Sequence, residues 1–139
     1  VIRGIIFDCF GVLVHDNLAR DEQMVALVRS LHSEYQTALL SNIGRGRIES
    51  LFAPGELDEL FDTVLLSSEV GFTKPHADIY ELTAQRLGLL PEECIMIDDL
   101  EMNVTGAIVA GMHGLLYVTR EQCQADLQRI VEDTHARTT

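Results

Sequence analysis

An α/β fold built on a mainly parallel sheet is predicted by two features of this 139-residue chain. Short apolar runs alternate with amphipathic stretches, the pattern of crossover units. Several of the runs are apolar at successive positions, as strands covered on both faces must be. The length predicts one domain over residues 1–139, because a single core typically serves about 100 to 200 residues.

The elements follow in order. The first predicted strand is Gly4 to Cys9, the second Thr37 to Leu40, the third Thr63 to Leu66, the fourth Cys94 to Ile97 and the fifth Gly114 to Val118. Between them, Asp21 to Leu31 places Met24, Leu27, Val28 and Leu31 at helical spacing, and Asp78 to Leu87 does the same with Ile79, Leu82 and Leu87. A third helix runs from Asn103 to Ala110 and stops at Gly111. A fourth covers Glu121 to Val131, with Thr119 as its N-cap. Pro54-Gly55 and Leu90-Pro91 mark loops.

Twenty-two acids against ten bases give a net charge of −12, on a chain that is 47% hydrophobic. That balance argues against nucleic acid and anionic membranes as partners, since counterion release needs clustered Lys and Arg. The apolar content argues against disorder. Cys9, Cys94 and Cys123 are odd in number and lack zinc-site spacing, so they read as reduced thiols of a cytoplasmic protein. No apolar run reaches the roughly 20 residues that span a bilayer. Lys74 is the only lysine in the chain.

Open sheets of this class bind ligands beyond the carboxyl ends of their strands. The residues that follow the runs are Asp8, Cys9, Phe10 and Gly11, then Ser41 and Asn42, then Asp98 and Asp99, with Lys74-Pro75 ahead of the fourth strand. Two carboxylates about 4 Å apart repel by ~4 kcal/mol at an effective dielectric of 20, so three in one crevice require a cation. Oxygen ligands, few of them from protein, suit Mg²⁺. Lys74 and the Ser41 hydroxyl are placed to hold phosphate oxygens, and a carboxylate facing a metal-clamped phosphoryl group is a route to an aspartyl-phosphate.

These residues carry a resemblance. Ile5-Ile6-Phe7-Asp8-Cys9-Phe10-Gly11-Val12-Leu13, Leu39-Leu40-Ser41-Asn42, Gly71-Phe72-Thr73-Lys74-Pro75 and Ile97-Asp98-Asp99-Leu100-Glu101-Met102-Asn103 resemble, in order, four motifs of the haloacid dehalogenase superfamily, on its phosphatase-rich branch. The resemblance implies a Rossmann-like three-layer sandwich with strand order 5-4-1-2-3. It implies Asp8 as nucleophile, and Asp8, the Phe10 backbone carbonyl and Asp99 as Mg²⁺ ligands, with Asp98 in support or ligating directly. Ser41, Asn42 and Lys74 would bind the phosphoryl group, Lys74 would also orient Asp8, and Asn103 would sit in the supporting shell. The implied partner is a phosphorylated small molecule or macromolecule.

Two departures qualify this. Most phosphatases of the superfamily carry a second Asp two residues after the nucleophile, as general acid/base; here that position is Phe10, which transfers no proton. Dehalogenases of the superfamily carry an aromatic residue there. Secondly, Ser41 follows Asp8 by only thirty-three positions, and a helix and a strand occupy most of the interval. The helical cap that relatives insert is therefore expected to be absent or truncated, with its remnant near 14–20. An uncapped site exposes apolar surface, which a homodimer would cover. Three activities follow from this reading: a weak phosphatase, an impaired binding or interaction module on the same fold, and, least favoured for want of a closed pocket, a dehalogenase.

Simpler roles compete at several positions. Asn103 could cap its helix, Asn42 could be plain loop polarity, and Cys9 buried packing. His15 and Asp16 read as an exposed linker or a substitute proton donor. Gly44-Arg45-Gly46-Arg47 reads as a turn before a helix, with Arg45 or Arg47 reaching substrate phosphate.

Overall fold

The computed structural model describes residues 1–138. The element order is β1 (Gly4–Phe7), α1 (Glu22–His32), β2 (Gln36–Ser41), α2 (Arg45–Glu49), α3 (Glu56–Leu60), β3 (Thr63–Leu66), α4 (Ser67–Val70), α5 (Ala77–Leu87), a 3₁₀ turn at Pro91–Glu93, β4 (Cys94–Asp98), α6 (Glu101–Val109), β5 (His113–Leu116) and α7 (Arg120–Thr138). The five strands form one sheet in the order β3-β2-β1-β4-β5, and each neighbouring pair is parallel. This is the predicted order read from the other edge.

Successive apolar residues are explained by the two layers they serve. Ile5 and Phe7 of β1 face one cluster, with Met24, Val25 and Val28 of α1 and Cys123 and Leu127 of α7. Ile6 faces the opposite cluster, with Ile79, Tyr80, Ala84 and Leu87 of α5 and Ala107 of α6. Side chains alternate across a strand, so a strand sandwiched between helices must be apolar at every position.

Boundaries differ from the predicted ones for identifiable reasons. The first strand ends at Phe7, and Asp8 and Cys9 begin a loop in which the Cys9 carbonyl accepts N–H bonds from Val12, Leu13 and Val14 at 3.3, 2.8 and 3.0 Å. Asp21 precedes α1 as its N-cap, its Oδ1 accepting the Met24 N–H at 3.0 Å. Thr119 caps α7 as predicted, its Oγ1 accepting from Gln122 N at 3.1 Å. The third predicted helix starts two residues earlier, at Glu101, which places Asn103 inside the first turn of α6 instead of at its cap. Lys74 and Pro75 precede α5 and do not open it. The helix expected after the 44–47 turn is α2, which begins earlier, at Arg45; the short helices α3 and α4 were not predicted. The segment 14–20, where a cap remnant was expected, is a tight excursion: Val14 bridges to both Phe10 and Arg20, and the tip from His15 to Ala19 is exposed.

No helix among the described residues is long and apolar enough to cross a membrane.

Candidate active site and cation centre

Parallel register brings the motif residues to one edge. Phe7 pairs with Leu39 on β2 and with Ile97 on β4, so Asp8, Ser41, Asp98 and Asp99 emerge side by side from three adjacent strands. Asp8 is fixed at the strand end by its N–H bond to the Ile97 carbonyl, at 3.0 Å.

Lys74 enters from the loop ahead of α5, and its Nζ lies 2.8 Å from Asp8 Oδ1 and 2.8 Å from Asp98 Oδ2. All three are buried. Asn42 holds the Lys74 backbone from both sides: its Oδ1 accepts the Lys74 N–H at 3.0 Å and its Nδ2 donates to the Lys74 carbonyl at 3.2 Å. The amide expected to meet phosphate is thus engaged in positioning the lysine. Gly106 lets α6 close on the same loop, since a Cβ there would lie 2.5 Å from the Pro75 carbonyl oxygen.

Asp98 is fully buried and spends both oxygens inside the protein. Oδ1 accepts the Leu100 N–H at 3.0 Å, and Oδ2 accepts from Lys74 and from Asn103 Nδ2, the latter at 3.2 Å. These bonds anchor the start of α6 and hold the lysine. Asn103 is held in turn by Tyr80, whose hydroxyl donates to its carbonyl at 2.7 Å. Its side-chain Oδ1 is buried and has no hydrogen-bond partner among the described residues.

One residue was quoted in the sequence motif without a role. Gly11 has φ of 93°, a region that side chains rarely adopt, and a Cβ there would overlap the Asp99 carboxylate. The backbone after Phe10 therefore passes directly beneath Asp99. The signal was a glycine just past a strand end, but its partner lies far away in sequence.

Carboxylate oxygens of Asp8, Asp98 and Asp99 lie within 4.8 Å of one another. Burial pushes the Asp8 carboxyl up from 3.8 to about 7, with Lys74 pulling it down and Asp98 adding to the rise. Burial also raises Asp99. Three acids against one ammonium leave the cluster short of positive charge, and an all-oxygen donor set of this kind suits a hard divalent cation.

Cys9 is buried, and burial together with the Asp8 charge pushes its thiol up to about 12, which makes it inert packing. His15 pairs with Asp21 at 3.0 Å and stacks on Tyr117. Arg45 is clamped to Glu69, with Nε and Nη2 at 2.7 and 2.8 Å from its two carboxylate oxygens. Arg47 instead lies over the Phe10 ring, 5.3 Å from its centroid. A cleft of about 620 Å³ between α2, α3 and β3 contains none of the motif residues.

Residues 17–111 match the family described as haloacid dehalogenase-like hydrolase. The fructose-1-phosphate phosphatase YqaB of Escherichia coli is 32% identical over 89 residues, covering 64% of this chain and 47% of that protein. The chain spans about half the length of the curated relatives it matches. Among solved structures, an uncharacterized protein of Corynebacterium glutamicum is similar over 91% of this chain and 93% of its own, at TM-score 0.76 and 30% identity. A HAD family enzyme of Bacteroides thetaiotaomicron, in complex with magnesium and inorganic phosphate, is similar at TM-score 0.72 and 17% identity over 86% of this chain and 96% of its own, a likeness of fold.

Proposed function

The chain belongs to the haloacid dehalogenase-like hydrolases, and from that premise we propose that it is a Mg²⁺-dependent phosphatase in which Asp8 accepts the phosphoryl group as an aspartyl-phosphate. The observation that carries this is Lys74 Nζ held at 2.8 Å from both Asp8 and Asp98, beside an Asp99 that a glycine has made room for.

The donor set fits the cation: Asp8, Asp99 and the Phe10 carbonyl would hold it, Asp98 and Asn103 would stand behind, and the unpartnered Asn103 Oδ1 offers an acceptor for a water. When bound, Mg²⁺ supplies charge neutralisation and polarises phosphoryl oxygens. Lys74 orients Asp8 through Oδ1 and balances charge on the incoming phosphoryl group, and the Ser41 hydroxyl binds one of its oxygens. Asn42 acts one step back, by holding Lys74. Asp8 then attacks phosphorus, and water later releases the phosphate and restores the carboxylate.

Phe10 bears on the rate. General acid–base catalysis typically contributes about 10²- to 10⁴-fold, so an enzyme without it handles good leaving groups best. Phe10→Asp is expected to raise turnover of a sugar phosphate by about 10²-fold, measured as phosphate release. The direct test is Mg²⁺-dependent phosphate release from p-nitrophenyl phosphate, abolished by chelation. Phe10 also favours a second reading, a binding module that turns over negligibly. No release by the native chain, with clear release by Phe10→Asp, is its signature.

The raised Asp8 carboxyl sets a pH dependence for the metal-free protein. A group that titrates near 3.8 unfolded and about 7 folded binds its proton more tightly in the fold. Its contribution to stability is full below about 4 and is lost as pH rises through about 7. Mg²⁺ offsets that loss. Its addition is expected to raise Tm more at pH 8 than at pH 5, read by thermal melts with and without chelator. An equal shift at both pH values contradicts a site built on Asp8.

A further inference from the structure

We infer that Arg47, stacked on Phe10, recognises a second anionic group on the substrate, so that the site acts on phosphoanhydrides of the diphosphate class; the inference rests on the phosphatase reading above.

The first observation is what each arginine near the edge is doing. Arg45 is occupied by Glu69 on both sides of its fork. Arg47 is exposed, and among the described residues its guanidinium has neither an ion pair nor a hydrogen bond; its one partner is the Phe10 ring. An aromatic face orients a guanidinium without using its N–H donors, so the fork is left open to a phosphate.

The second observation is where that fork stands. Phe10 is two residues past Asp8, and its partly buried ring packs against the core, which makes it a fixed platform. Arg47 comes from α2, directly after the Ser41-Asn42 turn. The start of α2 therefore presents one open guanidinium beside the Phe10 ring, while Asp98 and Asp99 lie at the end of β4. A substrate with a second anion beyond the scissile phosphoryl group is repelled by the acids and drawn to Arg47.

The third observation is what the pair lacks. Phenylalanine has no proton to give, and a guanidinium is not deprotonated in proteins. The pair stabilises negative charge but cannot protonate a leaving oxygen, which selects a group that departs as a stable anion. In the step this implies, an Asp8 oxygen bonds to the scissile phosphorus. The bond from that phosphorus to the bridging oxygen breaks, its electron pair stays on the bridging oxygen, and phosphate leaves. Water then attacks the aspartyl-phosphate, the phosphorus to Asp8 bond breaks, and the proton of water goes to the released phosphate. Inorganic pyrophosphate yields two phosphates.

The test compares kcat/KM for inorganic pyrophosphate, p-nitrophenyl phosphate and a sugar phosphate, with Mg²⁺ present. The native chain is expected to prefer pyrophosphate to the sugar phosphate by at least about tenfold. Arg47→Gln should lower the ratio of pyrophosphate to p-nitrophenyl phosphate by about 10- to 100-fold, the effect of hydrogen bonds to a charged group. Arg47→Lys should restore part of it. Arg45→Gln, which removes the same charge nearby, should leave the ratio within about twofold. An equal loss on both substrates in Arg47→Gln, or an unchanged ratio, overturns this inference and leaves the phosphatase reading in place. Absence of any release that depends on Asp8 overturns that reading, and this inference with it.

Discussion

Asp8→Asn is expected to lose turnover by about 10⁴-fold or more, as removal of a covalent nucleophile does, while keeping or gaining thermal stability above pH 7. The two halves have separate causes. Asparagine cannot form the aspartyl-phosphate, so chemistry stops. Yet the charged Asp8 is disfavoured in the fold, its carboxyl raised to about 7 by burial and by Asp98. A neutral side chain of the same shape relieves that penalty, and Lys74 keeps its bond to Asp98. Phosphate-release assays and melts at pH 8 check both halves together. A variant that is inactive because it has unfolded would show a fall in Tm.

Lys74→Met should produce the opposite signature, with activity and stability lost together. The lysine is 5% exposed and serves two buried carboxylates at 2.8 Å each. Breaking a buried ion pair by removing one partner typically costs about 3–5 kcal/mol, because the charge left behind is uncompensated. Without the ammonium, the cause that holds Asp8 down is gone, and its folded pKa rises further. Acid should then rescue the fold: protonating the stranded carboxylates removes their penalty, so the Tm deficit at pH 8 should shrink by pH 5. A deficit of equal size at both pH values contradicts an electrostatic role. Since Lys74 is the only lysine, amine-selective reagents can reach only this residue and the N-terminus. Its burial predicts protection in the folded state.

What the sequence made legible was whatever repeats locally or sits at a strand end. Continuous apolar runs gave the strands, because both faces are covered. Asp8, Ser41 and the Asp98-Asp99 pair were readable because strand termini in a parallel sheet share one edge. The helices missed, α3 and α4, have five and four residues, too few for a helical period to appear. Contacts between distant positions were invisible as well. Asn42 holds the Lys74 backbone thirty-two residues away, Gly11 clears space for Asp99, and Arg47 settles on Phe10. Each bears on a role: Asn42 holds the Lys74 backbone, Gly11 leaves room for the Asp99 carboxylate of the proposed cation site, and Phe10 carries the Arg47 guanidinium on its ring. Asp98, read from the sequence as a support or a direct ligand, is the buried acceptor of bonds from Lys74, Asn103 and Leu100.

The most direct measurement is to quench the Mg²⁺-loaded protein in acid during turnover of p-nitrophenyl phosphate and locate the phosphoryl group by peptide mass spectrometry. The account predicts a phosphoryl adduct on Asp8 in the native chain and its disappearance in Asp8→Asn. Turnover with the adduct on any other residue, or phosphate release that persists in Asp8→Asn, would contradict it.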